Sequence, residues 1–117
     1  MPAPRLIRAQ AESAPPDFKI AERLLAQAAS HLQSAAISGV DPEGRFTLLY
    51  DAARKAADAV LRAEGRRITH VEAARVTRNR AEYQARAVTE AELTDLQGAA
   101  HALVVTARVH VSSLRID

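Results

Sequence analysis

The chain of 117 residues contains no cysteine and no tryptophan, and it has only two phenylalanines and two tyrosines. Without cysteine, disulfide bonds and thiolate-ligated metal sites are excluded, and a reducing cytoplasm suits the chain. No apolar run approaches the roughly 20 residues that a membrane-spanning helix needs. The first sixteen residues lack the apolar segment of a signal peptide. We therefore expect a cytoplasmic protein without a membrane segment.

Small apolar side chains dominate what is present. Of all residues 48% are hydrophobic but only 3% are aromatic, and alanine supplies much of the difference. Alanine is the best helix former, and its small side chain lets helices pack closely. A chain of this length forms one domain whose core needs neither a metal nor a disulfide. The composition therefore favours an all-α fold.

Proline and glycine mark the limits of the first predicted elements. Residues 1–16 hold four of the five prolines and predict a flexible, Pro/Ala-rich N-terminal arm. Asp17 is a suitable N-cap for a first helix that extends to about Ser38. Residues 39–44, which contain two glycines and the fifth proline, predict a turn.

Three more helices are predicted downstream. The second helix of the chain covers about residues 45–64 and stops at Gly65. A third, short and polar, covers about residues 69–86. Thr89 and Glu92 have the spacing of a capping box and open the last helix. Residues 105–112 alternate with period two, which also fits a strand, but no turn residue separates them from the helical pattern upstream. We therefore expect residues 17–117 to form a four- to five-helix up-down bundle.

Basic residues concentrate in the middle of the chain. Residues 54–86 carry nine basic and four acidic side chains, a net charge of +5, whereas residues 87–107 carry three acidic and no basic ones. A basic segment of this kind suits a polyanionic partner. Arg54, Arg75 and Arg80 are the predicted RNA-binding residues. The alternative is that the many arginines only reflect a coding bias that also enriches alanine.

The segment from Arg78 to Tyr83 is the most distinctive part of the basic region. On a helix, Asn79 and Tyr83 share a face with Arg78 beside them, so a guanidinium, an amide and a phenol can meet one phosphate. The alternative is two surface ion pairs, in which Glu82 contacts Arg78 and Arg86, each contributing only a few tenths of a kcal/mol.

Two ordered segments resemble HEPN-domain proteins. Residues 49–69 are similar to a helix of that family and its Gly-Xaa-Arg exit. Residues 78–83, followed by residues 89–93, are similar to its Arg-Asn stretch and the start of its last helix. The resemblance covers about residues 17–115. It implies a helical bundle that pairs about a two-fold axis, and in many members a metal-independent ribonuclease encoded beside a nucleotidyltransferase or another antitoxin.

The resemblance also implies a site. Arg78 matches the arginine that stabilises the phosphorane in HEPN ribonucleases, and Asn79 matches the polar residue after it. The family's histidine, which lies four to six positions further on and moves the proton, is absent, and Tyr83 occupies its place. A phenol is a poor general base at pH 7, but it can donate to a phosphate or stack on a base. His70 ranks first among the four histidines as a possible helper.

Three functions follow as hypotheses. The first is an HEPN-type RNA- or nucleotide-binding module with a degenerate ribonuclease motif, in which Arg78, Asn79 and Tyr83 hold phosphate. The second is an active ribonuclease toxin, and the third is a helical protein-interaction module. No cofactor or metal site is indicated by the spacing of the histidines and carboxylates. A homodimer is expected, because apolar residues such as Val104, Val105, Val109 and Val111 occupy more than one face of the last helix.

Overall fold

The computed structural model describes residues 11–68, 74, 80–81 and 87–115 of the chain. Three helices account for most of these residues: α1 (Phe18–Ala35), α2 (Pro42–Ala63) and α3 (Glu90–Arg115). Two three-residue strands, β1 (Ala11–Ser13) and β2 (Arg66–Ile68), pair antiparallel. The predicted helical class is confirmed. Within the described residues, no helix is both long and apolar enough to cross a membrane.

An aspartate side chain caps the start of each of the first two helices. The side chain of Asp17 accepts a hydrogen bond from the backbone N–H of Ile20 at 3.0 Å, so the predicted cap of α1 is confirmed. Helix α2 begins at Pro42, three residues before its predicted start, and Asp41 caps it by accepting from Gly44 N–H at 2.9 Å. The predicted turn therefore extended too far. Proline is favourable in a first helical turn, where its missing N–H costs nothing.

Helix α3 begins with the predicted capping box. The Thr89 hydroxyl accepts from Glu92 N–H at 3.1 Å, and the Glu92 carboxylate accepts from Thr89 N–H at 3.2 Å. The segment with period-two alternation is helical, as predicted. Val104, Ala107 and Val111 provide its buried face, and this burial outweighs the strand preference of its β-branched residues.

The predicted third helix lies mostly outside the described residues. Ala74, Arg80 and Ala81 are the described positions of that segment, and all three are helical. The described residues therefore contain three extended helices, and a four- to five-helix bundle stays a prediction.

Alanine-rich packing holds the three helices together. Helix α2 packs against both α1 and α3 and supplies half of the buried apolar residues. The largest fully buried side chains are few: Leu49, Leu61, Leu93 and Val60. Most of their buried neighbours are alanines, which place the helix backbones close together. Val104 and Val111, which were expected on a dimer surface, are buried in this core instead.

Residues 11–16 of the predicted arm lie against the end of α2. In the strand pair, Glu12 faces Arg67, and beyond it Ala14 N–H donates to Gly65 O at 2.7 Å. Asp17 N–H donates to Arg62 O at 2.9 Å. These bonds join residues 14–17 to carbonyl groups at the end of α2 and just beyond it. Residues 1–10 lie outside the described part, so the flexibility of the arm stays a prediction.

Gly65 provides a matched test of this junction. Both Gly65 and Gly39 have positive φ, at 80° and 93°. A Cβ at Gly65 would lie 2.8 Å from Ala14 O, whereas a Cβ at Gly39 would meet nothing within 4 Å. Gly39→Ala should cost about 1–2 kcal/mol of unfolding free energy for the left-handed conformation alone. Gly65→Ala should cost distinctly more, since the Ala14 carbonyl must move. Urea denaturation of both variants measures the difference, and equal losses would contradict the close contact.

Candidate anion-binding site

The site begins with three charged residues on one face of α2. Asp51, Arg54 and Lys55 are spaced by three and four positions, so their side chains lie together on the helix surface. All three are partly exposed, which lets charged groups keep contact with water. Arg54 Nε lies 3.8 Å from Asp51 Oδ1. This arrangement alone would be an ordinary surface ion pair.

Helix α1 adds a histidine to these charges. His31 Nε2 lies 2.9 Å from Lys55 Nζ. An ammonium group can only donate hydrogen bonds, so the ring nitrogen accepts, and His31 in this contact is a neutral imidazole with its proton on Nδ1. The imidazole is therefore bonded to a cation rather than to a carboxylate.

The surroundings of His31 favour that neutral form. Burial lowers the pKa of His31 below its ordinary value of 6.5, and the positive charges of Lys55 and Arg54 lower it further, while Asp51 acts in the opposite direction. At pH 7 the ring is thus uncharged, with a nitrogen lone pair that faces an ammonium group.

Arg80 completes the site from a distant part of the sequence. Its Nη1 donates to Asp51 Oδ1 at 3.0 Å, and both side chains are partly buried, with exposed fractions of 31% and 20%. The same carboxylate oxygen therefore lies beside two guanidinium groups, those of Arg80 and Arg54. We call the five residues the basic cluster: His31, Asp51, Arg54, Lys55 and Arg80.

The basic cluster has the chemistry of an anion site. Two guanidinium groups lie beside the Asp51 carboxylate and an ammonium group contacts His31, so the five residues carry a net charge of +2 with the imidazole neutral. A guanidinium group has five N–H donors and an ammonium group has three, so bonds to Asp51 and His31 leave further donors for a ligand. Guanidinium groups match the geometry of phosphate oxygens. Among the described residues, no group of three or more histidines and carboxylates is placed to hold a metal ion.

The predicted site residues divide into two sets. Arg54 and Arg80, both predicted to bind RNA, are described, and the structure brings them together at Asp51. The others lie outside the described residues, so their placement stays a prediction: His70, Arg75, Arg78, Asn79 and Tyr83. Arg80 is held by a carboxylate of its own chain, which fixes the guanidinium in position.

Sequence reasoning missed His31. The residue lies on α1, 24 positions before Lys55, and no short-range pattern links the two. The other described histidines have different surroundings: His110 Nε2 lies 2.9 Å from Glu64 Oε2, and His101 is exposed on α3. His31 is thus the described histidine that lies among several cations.

A cavity elsewhere in the structure has the opposite charge. It encloses about 410 Å³ beside the aromatic rings of Phe46 and Tyr50. The charged side chains that line it within the described residues are Glu92 and Asp95. An apolar cavity with carboxylates does not suit an anionic ligand, so the basic cluster is the better candidate for the predicted polyanion partner.

The comparisons with known proteins add no relative. No protein-family model matches the chain, and no curated protein or solved structure is significantly similar to it. The functional assignment therefore depends on the geometry and charge of the basic cluster and on the sequence pattern.

The lowered pKa of His31 has a measurable effect on stability. Because the pKa is lower in the folded protein than in the unfolded chain, the unfolded chain binds more protons between the two values. Stability should therefore be lost as the pH falls from about 6.5 towards the folded pKa. Urea denaturation between pH 5 and pH 7.5 should show a smaller acid loss in His31→Gln than in the wild type. Parallel curves would contradict the neutral, cation-bound state of His31.

Proposed function

We propose that this protein is an HEPN-like module that binds RNA or a nucleotide through phosphate contacts at the basic cluster. The observation that carries the proposal is the basic cluster itself, in which Arg54 and Arg80 share the carboxylate of Asp51 while Lys55 contacts a neutral His31. The excess of basic side chains in residues 54–86 supports the same conclusion.

The geometry supports binding in two ways. Asp51 orders the Arg80 side chain before any ligand arrives, which lowers the conformational entropy that binding must remove. A phosphate beside Lys55 would accept from the ammonium group and would also stabilise a protonated His31. Anion binding and proton uptake by His31 are therefore expected to be coupled, so affinity should rise as the pH falls towards the lowered pKa of His31 in the free protein.

The residues predicted from the sequence add further ligand contacts to the proposal. Arg78, Asn79 and Tyr83 are proposed to extend the phosphate contacts of Arg80, with the tyrosine stacking on a base, and Arg75 to add to the positive field. In the proposed HEPN-like bundle a fourth helix carries these residues, and two copies pair about a two-fold axis. A cytoplasmic toxin–antitoxin or defence system, with an antitoxin or nucleotidyltransferase as partner, is the proposed setting.

A metal-independent ribonuclease is the second candidate, and one observation favours it. If a bound phosphate drew Lys55 away, the Nε2 lone pair of the neutral His31 would be released to remove the proton of an RNA 2′-hydroxyl, while an arginine stabilises the phosphorane. From the sequence alone, Tyr83 and His70 were the candidates for this proton-transfer role. A protein-interaction module is the remaining alternative, in which the basic residues only contact a protein.

Labelled single-stranded RNA and tRNA, incubated with the protein in EDTA, separate these functions. A binding module should show salt-dependent binding without cleavage, and three phosphate contacts predict a slope of log K against log salt of about −2. Arg78→Ala should weaken that binding. Cleavage that disappears in Arg78→Ala would establish the ribonuclease instead. Neither binding nor cleavage would overturn both and leave the protein-interaction function.

A further inference from the structure

A groove lies between α1 and α3. It encloses about 390 Å³, and the described residues that line it come from α1 with its C-cap residue and from α3. Helices α1 and α3 contact each other much less than either contacts α2, which leaves the space between them partly open. The volume lies in the range of about 300–1,000 Å³ that is usual for small-molecule sites.

The floor of the groove is apolar. Leu32 of α1 lies along it, with Ala29 beside Leu32 and with Val104 and Val105 on the α3 side. Val105 is 50% exposed and Leu32 is half-buried, so part of this apolar surface faces water in the free protein. A ligand with an apolar body would remove that surface from water, which favours binding.

The groove has a polar residue at each end. Ala36 and Gln97 line a common hollow at the end of α1, whereas Ala26 and Arg108 line another hollow nearer its start. Helices α1 and α3 therefore run in opposite directions, with Gln97 and Arg108 at opposite ends of the groove. Along α3 these two residues are about 16 Å apart at 1.5 Å per residue. An elongated apolar floor of this kind suits a linear molecule.

The positive charge of the groove lies at one end. Arg108 is the one arginine or lysine among the described residues that line the groove, and those residues include no carboxylate. Within the described part of the chain, Arg108 makes no hydrogen bond and no ion pair. Glu22 lines the hollow next to Arg108, but its carboxylate pairs with Arg115. The guanidinium donors of Arg108 are therefore available to an anion.

We propose that this groove binds a single-chain amphipathic carboxylate of the class of medium-chain fatty acids. The carboxylate accepts hydrogen bonds from Arg108, and the alkyl chain lies over Leu32 and Val105 towards Gln97. One unpaired guanidinium group balances the single charge of a carboxylate and matches its geometry. The proposal does not depend on phosphate binding, because none of the five residues of the basic cluster lines the groove.

Titration of the full chain with decanoate, kept below its micelle concentration, tests the ligand class. Calorimetry should show saturable binding, and the nuclear magnetic resonance signals of the His101 ring, which lines the groove, should shift while those of His31 stay unchanged. Shortening the ligand to octanoate should weaken binding about two- to fourfold for each methylene removed. Decyltrimethylammonium, which carries the same chain on a positive head group, should bind much more weakly. No saturable binding, equal binding of the two head groups, or shifts at His31 in place of His101 would overturn the proposal.

Matched substitutions test the position of the ligand. Val105→Asp places a carboxylate on the apolar floor and should weaken decanoate binding by about tenfold or more, whereas Val109→Asp, at a 66% exposed position outside the groove, should change it less than about twofold. Arg108→Gln should weaken binding about tenfold. Arg23→Gln removes the same charge from an exposed position of α1 and should have little effect. Circular dichroism should show the same helix content in all four variants. Equal losses within either pair would overturn the proposal.

Discussion

Replacing Lys55 with glutamate should weaken the binding of single-stranded RNA by roughly 10- to 150-fold. A hydrogen bond to a charged group contributes about 1.5–3 kcal/mol, and this substitution removes one and adds a carboxylate beside Arg54. The ammonium group of Lys55 lies 2.9 Å from His31 Nε2, and Lys55 follows Arg54 directly in the sequence, so the change alters the charge of the basic cluster itself. Fluorescence anisotropy with a labelled oligonucleotide at fixed salt measures the loss.

Lys19 provides the control, because it is the other lysine of the chain. Lys19→Glu changes the net charge by the same amount, but Lys19 is exposed in the first turn of α1, about 18 Å along the helix from His31. Its affinity for RNA should stay within about threefold of the wild type, as expected for a screened distant charge. Equal losses in the two variants would show that binding responds only to net charge, and the basic cluster would then not be the site.

The largest effect on stability is expected from Leu61→Ala, which should lower the free energy of unfolding by about 2–5 kcal/mol. Leu61 is fully buried and lies in the core between the helices. Many of its buried neighbours are alanines, whose side chains cannot extend to fill the space that the substitution leaves. The loss should therefore fall in the upper half of that range. Equilibrium urea denaturation at pH 7 gives the value.

Ile37→Ala is the comparison for this substitution. It removes the same number of carbon atoms, but Ile37 is 62% exposed in the turn after α1. Its cost should stay below about 0.5 kcal/mol, as for most surface substitutions. A loss at Leu61 as small as that at Ile37 would contradict the core described here.

The described helices could be predicted because their signals are local. Asp17 and the Thr89–Glu92 pair act within one turn of backbone, so residue type and spacing are enough to place them. The start of α2 was misplaced, since Asp41 and Pro42 fit both a turn and a helix start, and only the packing of the first turn decides between them.

Long-range pairings could not be predicted in the same way. The pairing of β1 with β2 joins residues more than 50 positions apart, and it depends on where α2 ends rather than on any pattern within the strands. The basic cluster could not be predicted for the same reason, because its residues lie far apart in the sequence. Arg54 and Arg80 were identified by type and charge, but their shared carboxylate follows from the position of Arg80 against α2. The contribution of His31 follows from the packing of α1 against α2.

Phosphate binding therefore has two candidate positions in this chain. The sequence placed phosphate binding at Arg78, Asn79 and Tyr83, and that site stays a prediction. The described residues provide the basic cluster instead, and Arg80 of the same sequence segment belongs to it through Asp51. Both proposals require the same ligand class, a phosphate-bearing polyanion.

The imidazole of His31 gives the most direct test, because its nuclear magnetic resonance signals report contact and charge at the same atoms. Titration with a short single-stranded RNA should shift the ring signals of His31 and raise its pKa, since a bound phosphate stabilises the imidazolium. The ring of His101, which is exposed on α3, should be unaffected. RNA binding that leaves the His31 signals and pKa unchanged, or the absence of any binding, would contradict phosphate binding at the basic cluster.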